Sequence, residues 1–394
     1  MHSQCIVSAP GDRLLRSTRV CKGANITGTH SRHTHKQSAL RFSNDSRLTS
    51  LKATANGGNG SNGGQALRYP KRAQWDSATS KLVGLASVPF SILVLPQVIT
   101  NYANIASGNA AALSVISWQG YASALMGNTL MCSHFAHRAE RSAVNVQLIG
   151  IASNLLVLSQ VMIAGVMPKS VFTAVAFVVA GAVAMSLARM AGRIPGEGHN
   201  GRGMGLWRTW QLLAGVGGLA IVAQVLYNTM FPAIPSVLPG LAALILLTAY
   251  FGIKLKAGDT RQYGLVEQLP GWASTFLFTL SPLPQLVRNL LNPQGLEGLS
   301  VGTMLLALTG NALMVPRALL IKDMVWLAGT TWSLSVAGWG QLLSMFLAKS
   351  QDTGARYLNP PAFAAITVVM LVYLAFVLRQ NARAQHSEPA PSST

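Results

Sequence analysis

The chain has little charge and even less acid. Only 10% of its 394 residues are charged, and 11 Asp and Glu stand against 30 Lys and Arg. Because about a quarter of the residues in a soluble domain are charged, this composition excludes an ordinary globular protein. With 50% hydrophobic residues, it predicts an integral membrane protein. The net charge of +19 is spread over a tail and short loops, so we expect no nucleic-acid partner.

Cysteine is also scarce. Cys5 and Cys21 fall in the N-terminal tail, which leaves Cys132 alone in the apolar part of the chain. Neither a disulfide framework nor a cysteine metal site is predicted. The apolar segments also lack a nucleophile with a base and an orienting group. We therefore predict no catalytic residue, no metal and no cofactor, and a protein that is not an enzyme.

Residues 1–67 lack the apolar stretch that a secretory signal requires. The tail is rich in Arg, Lys, Ser and Thr, while its acids are limited to Asp12 and Asp45. This composition is typical of an organellar transit peptide. A disordered cytosolic tail is the alternative, and composition alone does not separate plastid from mitochondrion.

Apolar segments long enough to cross a bilayer recur along the rest of the chain. They lie at about 82–102, 110–134, 143–165, 170–190, 209–231, 237–255, 269–290, 300–320, 324–347 and 362–378. Lys and Arg concentrate in alternate connections, which places both ends of the chain on the inner side. The predicted fold class is an all-α polytopic membrane protein with about ten transmembrane helices, nine or ten in number.

The first and seventh segments carry the same proline motif. Leu95-Pro96-Gln97 in the first corresponds to Leu283-Pro284-Gln285 in the seventh. Proline bends a membrane helix, and neighbouring groups must satisfy the freed carbonyls. We therefore expect Pro96 and Pro284 to act as hinges or as static kinks, with Gln97 and Gln285 stabilising the bent backbone.

The duplication continues into the following segments, which contain Gly127-Asn128 and Gly310-Asn311. A bent helix followed by a Gly-Asn helix, present twice, indicates an internal repeat. The first and seventh segments cross the bilayer in the same direction. The sequence therefore predicts two parallel repeats with a substrate path between them.

No acidic residue falls in the interior of a predicted span. A carrier driven by protons or sodium normally places a carboxylate or a histidine near the middle of the membrane. Here only His134 comes close, at the end of a span. If the chain transports a solute, the sequence predicts facilitated diffusion of a neutral one.

The polar side chains inside the spans are amides, hydroxyls and indoles. Sugar hydroxyls bind neutral donors and acceptors, and sugar C–H faces stack on aromatic rings. The candidate substrate-binding residues are Asn128, Asn311, Trp332, Trp339, Trp272, Asn154 and Tyr121. An α-helical spacing would place Trp332, Ser335 and Trp339 on one face. The alternatives are amides that bind neighbouring helices and tryptophans at the membrane interface.

Two charged residues flank the connection between the eighth and ninth spans. We predict that Arg317 and Asp323 form a structural ion pair that holds these spans together. Direct contact with a sugar is the alternative.

Several runs resemble known families. The duplicated Leu-Pro-Gln helix resembles the PQ-loop superfamily, related to the SWEET sugar carriers, whose halves are three-helix bundles joined by a linker helix. Gly310-Asn311-Ala312-Leu313-Met314 and Asp323-Met324-Val325-Trp326-Leu327 resemble the plastid maltose exporter (maltose-excess) family of plants and green algae. The resemblance extends from about Trp75 to Leu347.

This resemblance implies a multi-pass carrier of the chloroplast inner envelope that exports maltose from starch breakdown. The expected partners are maltose or a related small sugar and the lipid bilayer. Glucose, longer maltodextrins and amino acids stay open as substrates, as does a non-transporting membrane accessory protein. The oligomeric state is not predicted.

The resulting domain division is as follows. Residues 1–67 form a plastid transit peptide or disordered segment, 75–165 the first PQ-type three-helix repeat, 166–262 the connector helices, 268–347 the second PQ-type three-helix repeat, 360–380 a C-terminal transmembrane helix and 381–394 a disordered tail.

Overall fold

The computed structural model describes residues 70–109, 113, 116, 118–195, 205–231, 233–234, 236–257, 261–282, 300–349 and 354–386. These residues belong to one compact unit. The predicted transit segment 1–67 and the motif residues Pro284 and Gln285 lie outside the described residues.

The described residues form helices joined by short connections and contain no β-strand. In chain order the helices are α1 Pro70–Ala106, α2 Trp118–Arg138, α3 Arg141–Ile163, α4 Lys169–Met190, α5 Leu206–Met230, α6 Leu238–Lys256, α7 Arg261–Leu280, α8 Val301–Ile321, α9 (Met324–Trp332, Ser333–Gly340 and Gln341–Leu347) and α10 Pro360–His386. The all-helical class follows from apolar segments in which every backbone group must be satisfied within its own helix.

Within the described part of the chain, 7 helices are long and apolar enough to cross a membrane. They are α1, α3, α4, α5, α6, α8 and α10. Long apolar side chains are exposed on them, for example Ile253 on α6 and Val369 on α10, each 68% exposed. Such side chains are suited to lipid.

The largest extensions beyond the predicted spans are at the starts of α1 and α7 and at the end of α10. α1 begins at Pro70 and α7 at Arg261, because their first turns carry charges that hydropathy does not count as part of a span. α10 continues to His386, so the prediction of a disordered tail was wrong for residues 381–386. This stretch contains no glycine or proline that would end the helix.

The first three helices and the last group pack in a similar way. α3 packs against both α1 and α2, and α9 packs against both α7 and α8. The two groups meet where α1 packs on α8 and α2 packs on α7. α4 covers α2 and α3, α5 packs between α7 and α6, and α10 lies against α8 and α1.

Contacts at the helix ends give the relative directions of α1, α2, α7 and α8. Asp76 near the start of α1 binds Arg317 near the end of α8. His137 near the end of α2 lies 3.6 Å from Glu267 near the start of α7. Asp323, between α8 and α9, binds the end of α2 through Arg138. α1 and α7 therefore begin at the same end of the bundle, which we call the inner end.

α1 remains one helix through both Pro89 and Pro96. Gln97 donates from Nε2 to the side-chain oxygen of Asn101 at 2.7 Å. Asn101 in turn donates to Gln160 on α3 at 3.0 Å, and Gln160 donates to the backbone carbonyl of Val98 at 3.0 Å. Gln97 therefore reaches the α1 backbone only through other amides, and this network fixes α1 to α3.

Candidate functional site

Two glycine–phenylalanine contacts join the two groups of helices. A β-carbon added at Gly310 on α8 would lie 2.7 Å from Cζ of Phe90 on α1. A β-carbon at Gly127 on α2 would lie 3.0 Å from Cε1 of Phe278 on α7. Phe90 and Phe278 stand at the same spacing before the two Leu-Pro-Gln motifs. The same contact is thus made twice, because only glycine lets the rings approach so closely.

Beside each glycine lies a candidate asparagine. Asn128 donates from Nδ2 to the carbonyl of Ala124 at 2.9 Å, and Asn311 donates to Ala307 at 2.9 Å. Both side chains are partly buried. Neither Oδ1 accepts a hydrogen bond from a residue that the structure describes. Each oxygen can therefore accept a hydrogen bond from a hydroxyl group.

Asn154 lies close to Asn128, across the α2–α3 contact. Its Nδ2 donates to the carbonyl of Gly150 at 2.7 Å. A β-carbon at Gly150 would lie 2.6 Å from Oδ1 of Asn128. The structure thus brings these two predicted residues together around Gly150, where there is no room for a larger side chain.

The predicted aromatic residues occupy different environments. Tyr121 packs against the main apolar core, and the Trp272 ring lies 6.1 Å from that of Phe276. The indole nitrogen of Trp332 is buried and has no partner among the described residues. Trp339 donates to Thr367 on α10 at 3.0 Å, so it lies against α10.

The expectation that Trp332, Ser335 and Trp339 share one face was wrong. Residues Ser333–Gly340 form a π-helix inside α9. A π-helix closes i→i+5 hydrogen bonds and turns more widely than an α-helix. An i, i+3, i+7 spacing therefore no longer aligns the three side chains.

The predicted pair of Arg317 with Asp323 does not form, and each of the two residues binds other partners at the inner end. Arg317 donates two hydrogen bonds to Glu140, from Nη2 to Oε1 at 3.0 Å and from Nε to Oε2 at 3.1 Å. It also donates to Oδ1 of Asp76 at 2.6 Å. Asp323 instead lies 2.9 Å from Nε2 of His134. The prediction paired sequence neighbours, whereas packing of α8 on α1 brings other acids closer to Arg317.

Two of these ion pairs, Arg317–Glu140 and His134–Asp323, occupy matching positions. His134 and Arg317 stand at the same spacing after Gly127-Asn128 and Gly310-Asn311, and so do Glu140 and Asp323. Each acid precedes the third helix of its own group, at the N-cap of α3 or α9. The base of each group therefore binds the acid of the other, and we call Arg317–Glu140 and His134–Asp323 the crossed pairs.

Asp323 lies at a helix end, as predicted for the acids, yet its side chain is 0% exposed. Its Oδ1 accepts from the backbone nitrogen of Trp326 at 3.1 Å, and Arg138 donates to its Oδ2 at 3.2 Å. Burial alone would raise the pKa of Asp323. The hydrogen bond and charge of His134, together with Arg138, outweigh it and hold the pKa below its ordinary value. Because a carboxylate only accepts, Nε2 of His134 carries the proton between them.

Sequence reasoning missed both the glycine–phenylalanine contacts and the crossed pairs. Aligning the two repeats on their Gly-Asn pairs would have matched His134 with Arg317 and Glu140 with Asp323. In the described part of the chain, no group of three or more His, Cys, Asp and Glu residues could hold a metal ion.

The class of protein follows from the long apolar helices, the matched proline and Gly-Asn positions and the repeated contacts. It is an all-helical membrane protein with a PQ loop. Residues 266–315 match the family model described as PQ loop repeat. Residues 70–195 match the model described as Maltose excess protein 1 N-terminal domain.

Two curated relatives extend these matches over most of the chain. "Maltose excess protein 1-like, chloroplastic" of Oryza sativa subsp. japonica is 38% identical over 332 residues, covering 82% of this chain and 78% of the relative. "Maltose excess protein 1, chloroplastic" of Arabidopsis thaliana is 33% identical over 326 residues, covering 82% and 75%. The chain belongs to the maltose excess protein 1 family. No solved structure matches it.

Proposed function

We propose that the protein is a facilitative maltose transporter of the chloroplast inner envelope, which exports maltose released by starch breakdown. The names of the Oryza sativa and Arabidopsis relatives contain the words maltose and chloroplastic, and the neutral polar side chains of the spans suit a sugar. Net flow follows the maltose gradient, so export requires only that the sugar be more concentrated inside the plastid.

The architecture in this proposal has ten spans. Helices α1–α3 and α7–α9 are two parallel three-helix repeats related by a pseudo-two-fold axis along the membrane normal. The reciprocal packing of α1 on α8 and of α2 on α7 supports this arrangement. The helices α4–α6 connect the repeats, and α10 is peripheral.

The observation that carries the proposal is the matched pair Asn128 and Asn311. Each lies beside a glycine that admits a phenylalanine from the other repeat, and each has an amide oxygen that accepts no hydrogen bond from a described residue. A disaccharide between the repeats would be held from both sides by such acceptors. Asn154 extends this amide surface. The proposed aromatic and hydroxyl contacts are Tyr121, Trp272, Trp332 and Trp339. Trp332 is foremost among them because its buried indole N–H has no partner among the described residues.

The crossed pairs close the inner end of this route. Each joins a second helix of one repeat to the start of a third helix in the other, so the repeats cannot separate there while both pairs are intact. In the proposed cycle both pairs break when the inner end opens and form again when it closes. Pro96 and Pro284 are the proposed hinges.

Proton coupling is the main rival, and one observation favours it. His134 and Asp323 form a buried titratable pair, and such pairs can bind a coupling proton. In the proposed facilitative mechanism, His134–Asp323 is only a structural contact at the inner end. Arg317–Glu140 makes the matching contact with a base that does not titrate. The two readings differ in whether a proton gradient drives accumulation.

Competition in reconstituted vesicles tests the substrate. The full chain is reconstituted into liposomes, and influx of labelled maltose is measured against unlabelled maltose, glucose and maltotriose. We expect saturable influx that unlabelled maltose inhibits most strongly. Stronger inhibition by glucose or maltotriose would reassign the substrate, and influx equal to that of empty liposomes would favour a membrane accessory protein.

A further inference from the structure

An apolar groove runs between α8, α9 and α10. Its volume is about 420 Å³, and its mainly apolar lining includes Val315, Leu319, Met324, Ala328 and Leu378. On its other side α10 packs against α1, where Trp75 meets Phe376 edge-on at 6.4 Å. Tyr373 fixes α10 to α8 by donating to the carbonyl of Ala312 at 3.0 Å. The groove is therefore a gap beside a helix that is otherwise anchored.

The first repeat fills the matching surface with protein. The positions that correspond to Val315 and Leu319 are Cys132 and Ala136, both fully buried in the main core beneath α4. α4 approaches α2 closely there, and Oγ of Ser133 lies 3.2 Å from Oγ of Ser186. In the second repeat Val315 is buried as well, but Leu319 is only partly buried and lines the groove.

Two cations adjoin lining residues of the groove in the sequence, at the inner ends of α8 and α10. Lys322 stands between the lining residues Leu319 and Met324, and Arg379 directly follows the lining residue Leu378. Both are exposed, and neither side chain has a partner among the described residues. Elsewhere at the inner end the chain pairs its arginines with acids, as at Arg317 and Arg138. The residue that matches Lys322 in the first repeat is Ala139, which has the same left-handed backbone.

We infer that this groove binds one anionic lipid, with an acyl chain in the groove and the headgroup on Lys322 and Arg379. An acyl chain matches an uncharged apolar lining in a membrane-embedded position. A negative headgroup matches two unpaired cations, each of which contributes favourable energy near an anionic membrane surface. A zwitterionic lipid could also place an acyl chain in the groove, but its neutral headgroup would be attracted less strongly to the two cations.

The test uses the purified full chain in detergent, with phosphatidylglycerol and phosphatidylcholine as probes. Native mass spectrometry measures the fraction of chains that retain one lipid. We expect retention of phosphatidylglycerol to exceed that of phosphatidylcholine by about ten-fold. Combined Lys322→Gln and Arg379→Gln substitutions should abolish this preference. Combined Lys254→Gln and Lys256→Gln substitutions on α6 remove the same charge and should preserve it.

A groove-filling variant separates the acyl site from general surface charge. Ala328→Phe leaves both cations in place and should lower retention of either lipid at this site, with the unfolding temperature in phosphatidylcholine unchanged. The proposal is overturned if the Lys322 and Arg379 variant retains phosphatidylglycerol as the wild type does. It is also overturned if the α6 control loses as much, or if Ala328→Phe has no effect on retention.

Discussion

Gly310 on α8 leaves room for the ring of Phe90 on α1, and a β-carbon there would lie 2.7 Å from the ring. At that distance the ring of Phe90 has to shift before a β-carbon fits at Gly310. Gly127 and Phe278 repeat the contact with slightly more space, the nearest ring atom being 3.0 Å from the added carbon. The two groups of helices therefore meet at two glycines, and Gly127 has slightly more room for a β-carbon than Gly310.

Gly310→Ala should destabilise the protein because overpacking costs about 1–3 kcal/mol. Gly127→Ala should cost less, since its ring needs to move by only a few tenths of an ångström. Gly217→Ala on α5 is the control, because nothing lies within 4 Å of the added carbon and alanine favours a helix. Unfolding temperatures in detergent measure the effect. Equal values for Gly310→Ala and Gly217→Ala would contradict the contact.

Arg317→Gln and Glu140→Gln should each destabilise the inner end. Their side chains are 12% and 14% exposed, so Arg317→Gln leaves Glu140 as a largely buried charge, which costs about 3 kcal/mol. Glu140→Gln should cost less, because Arg317 keeps its bond to Asp76. The double variant should cost clearly less than the sum of the two, because the pair is then lost as a unit.

A double-mutant cycle on unfolding free energies measures this coupling, with Lys254→Gln as an exposed control that should be neutral. Additive losses from Arg317→Gln and Glu140→Gln would show that the two residues act independently, against the crossed pair.

Asp323 should make stability depend on acid pH. Its pKa in the folded protein lies below the ordinary value of 3.8, so the unfolded chain binds more protons in that range. Its stabilising contribution is therefore complete at pH values above about 4 and is lost as the pH falls through the folded pKa.

The unfolding temperature between about pH 2 and pH 6 measures this dependence for the wild type and for Asp323→Asn. The variant should be less stable at pH 6 and should approach the wild type at the acid end. A constant difference between the two proteins across the range would contradict the assignment.

Asn311→Ala should weaken sugar transport without unfolding the protein. Loss of one hydrogen bond to the sugar corresponds to about 1 kcal/mol, a factor of about five in kcat/KM. Asn128→Ala should have a similar effect because the positions match. Asn228→Ala on α5 removes an exposed amide and should leave influx unchanged. Normal influx in both Asn128→Ala and Asn311→Ala would remove the two asparagines from the site.

Composition and motif spacing were enough to predict much of the fold. An apolar, acid-poor chain has to satisfy its backbone within helices, and the described residues are helical as that composition predicts. Helix ends were predicted less well at α1, α7 and α10, because hydropathy reports the lipid-facing length and not where the hydrogen bonding stops.

The partners of the charged residues could not be predicted from sequence neighbours. Which acid Arg317 binds depends on which helices meet, and Glu140 is distant in the chain. The π-helix in α9 was equally hidden, because Ser333–Gly340 has a composition that also suits an α-helix. It removed the shared face expected for Trp332 and Trp339.

Counterflow of labelled maltose tests the central claim most directly. Liposomes that contain the full chain are loaded with unlabelled maltose, diluted into labelled maltose at equal pH on both sides, and followed over time. A uniporter predicts a transient accumulation of label above its equilibrium level, unchanged when a proton ionophore is added. Uptake no greater than in empty liposomes, or accumulation that requires an imposed proton gradient, would contradict facilitated maltose transport.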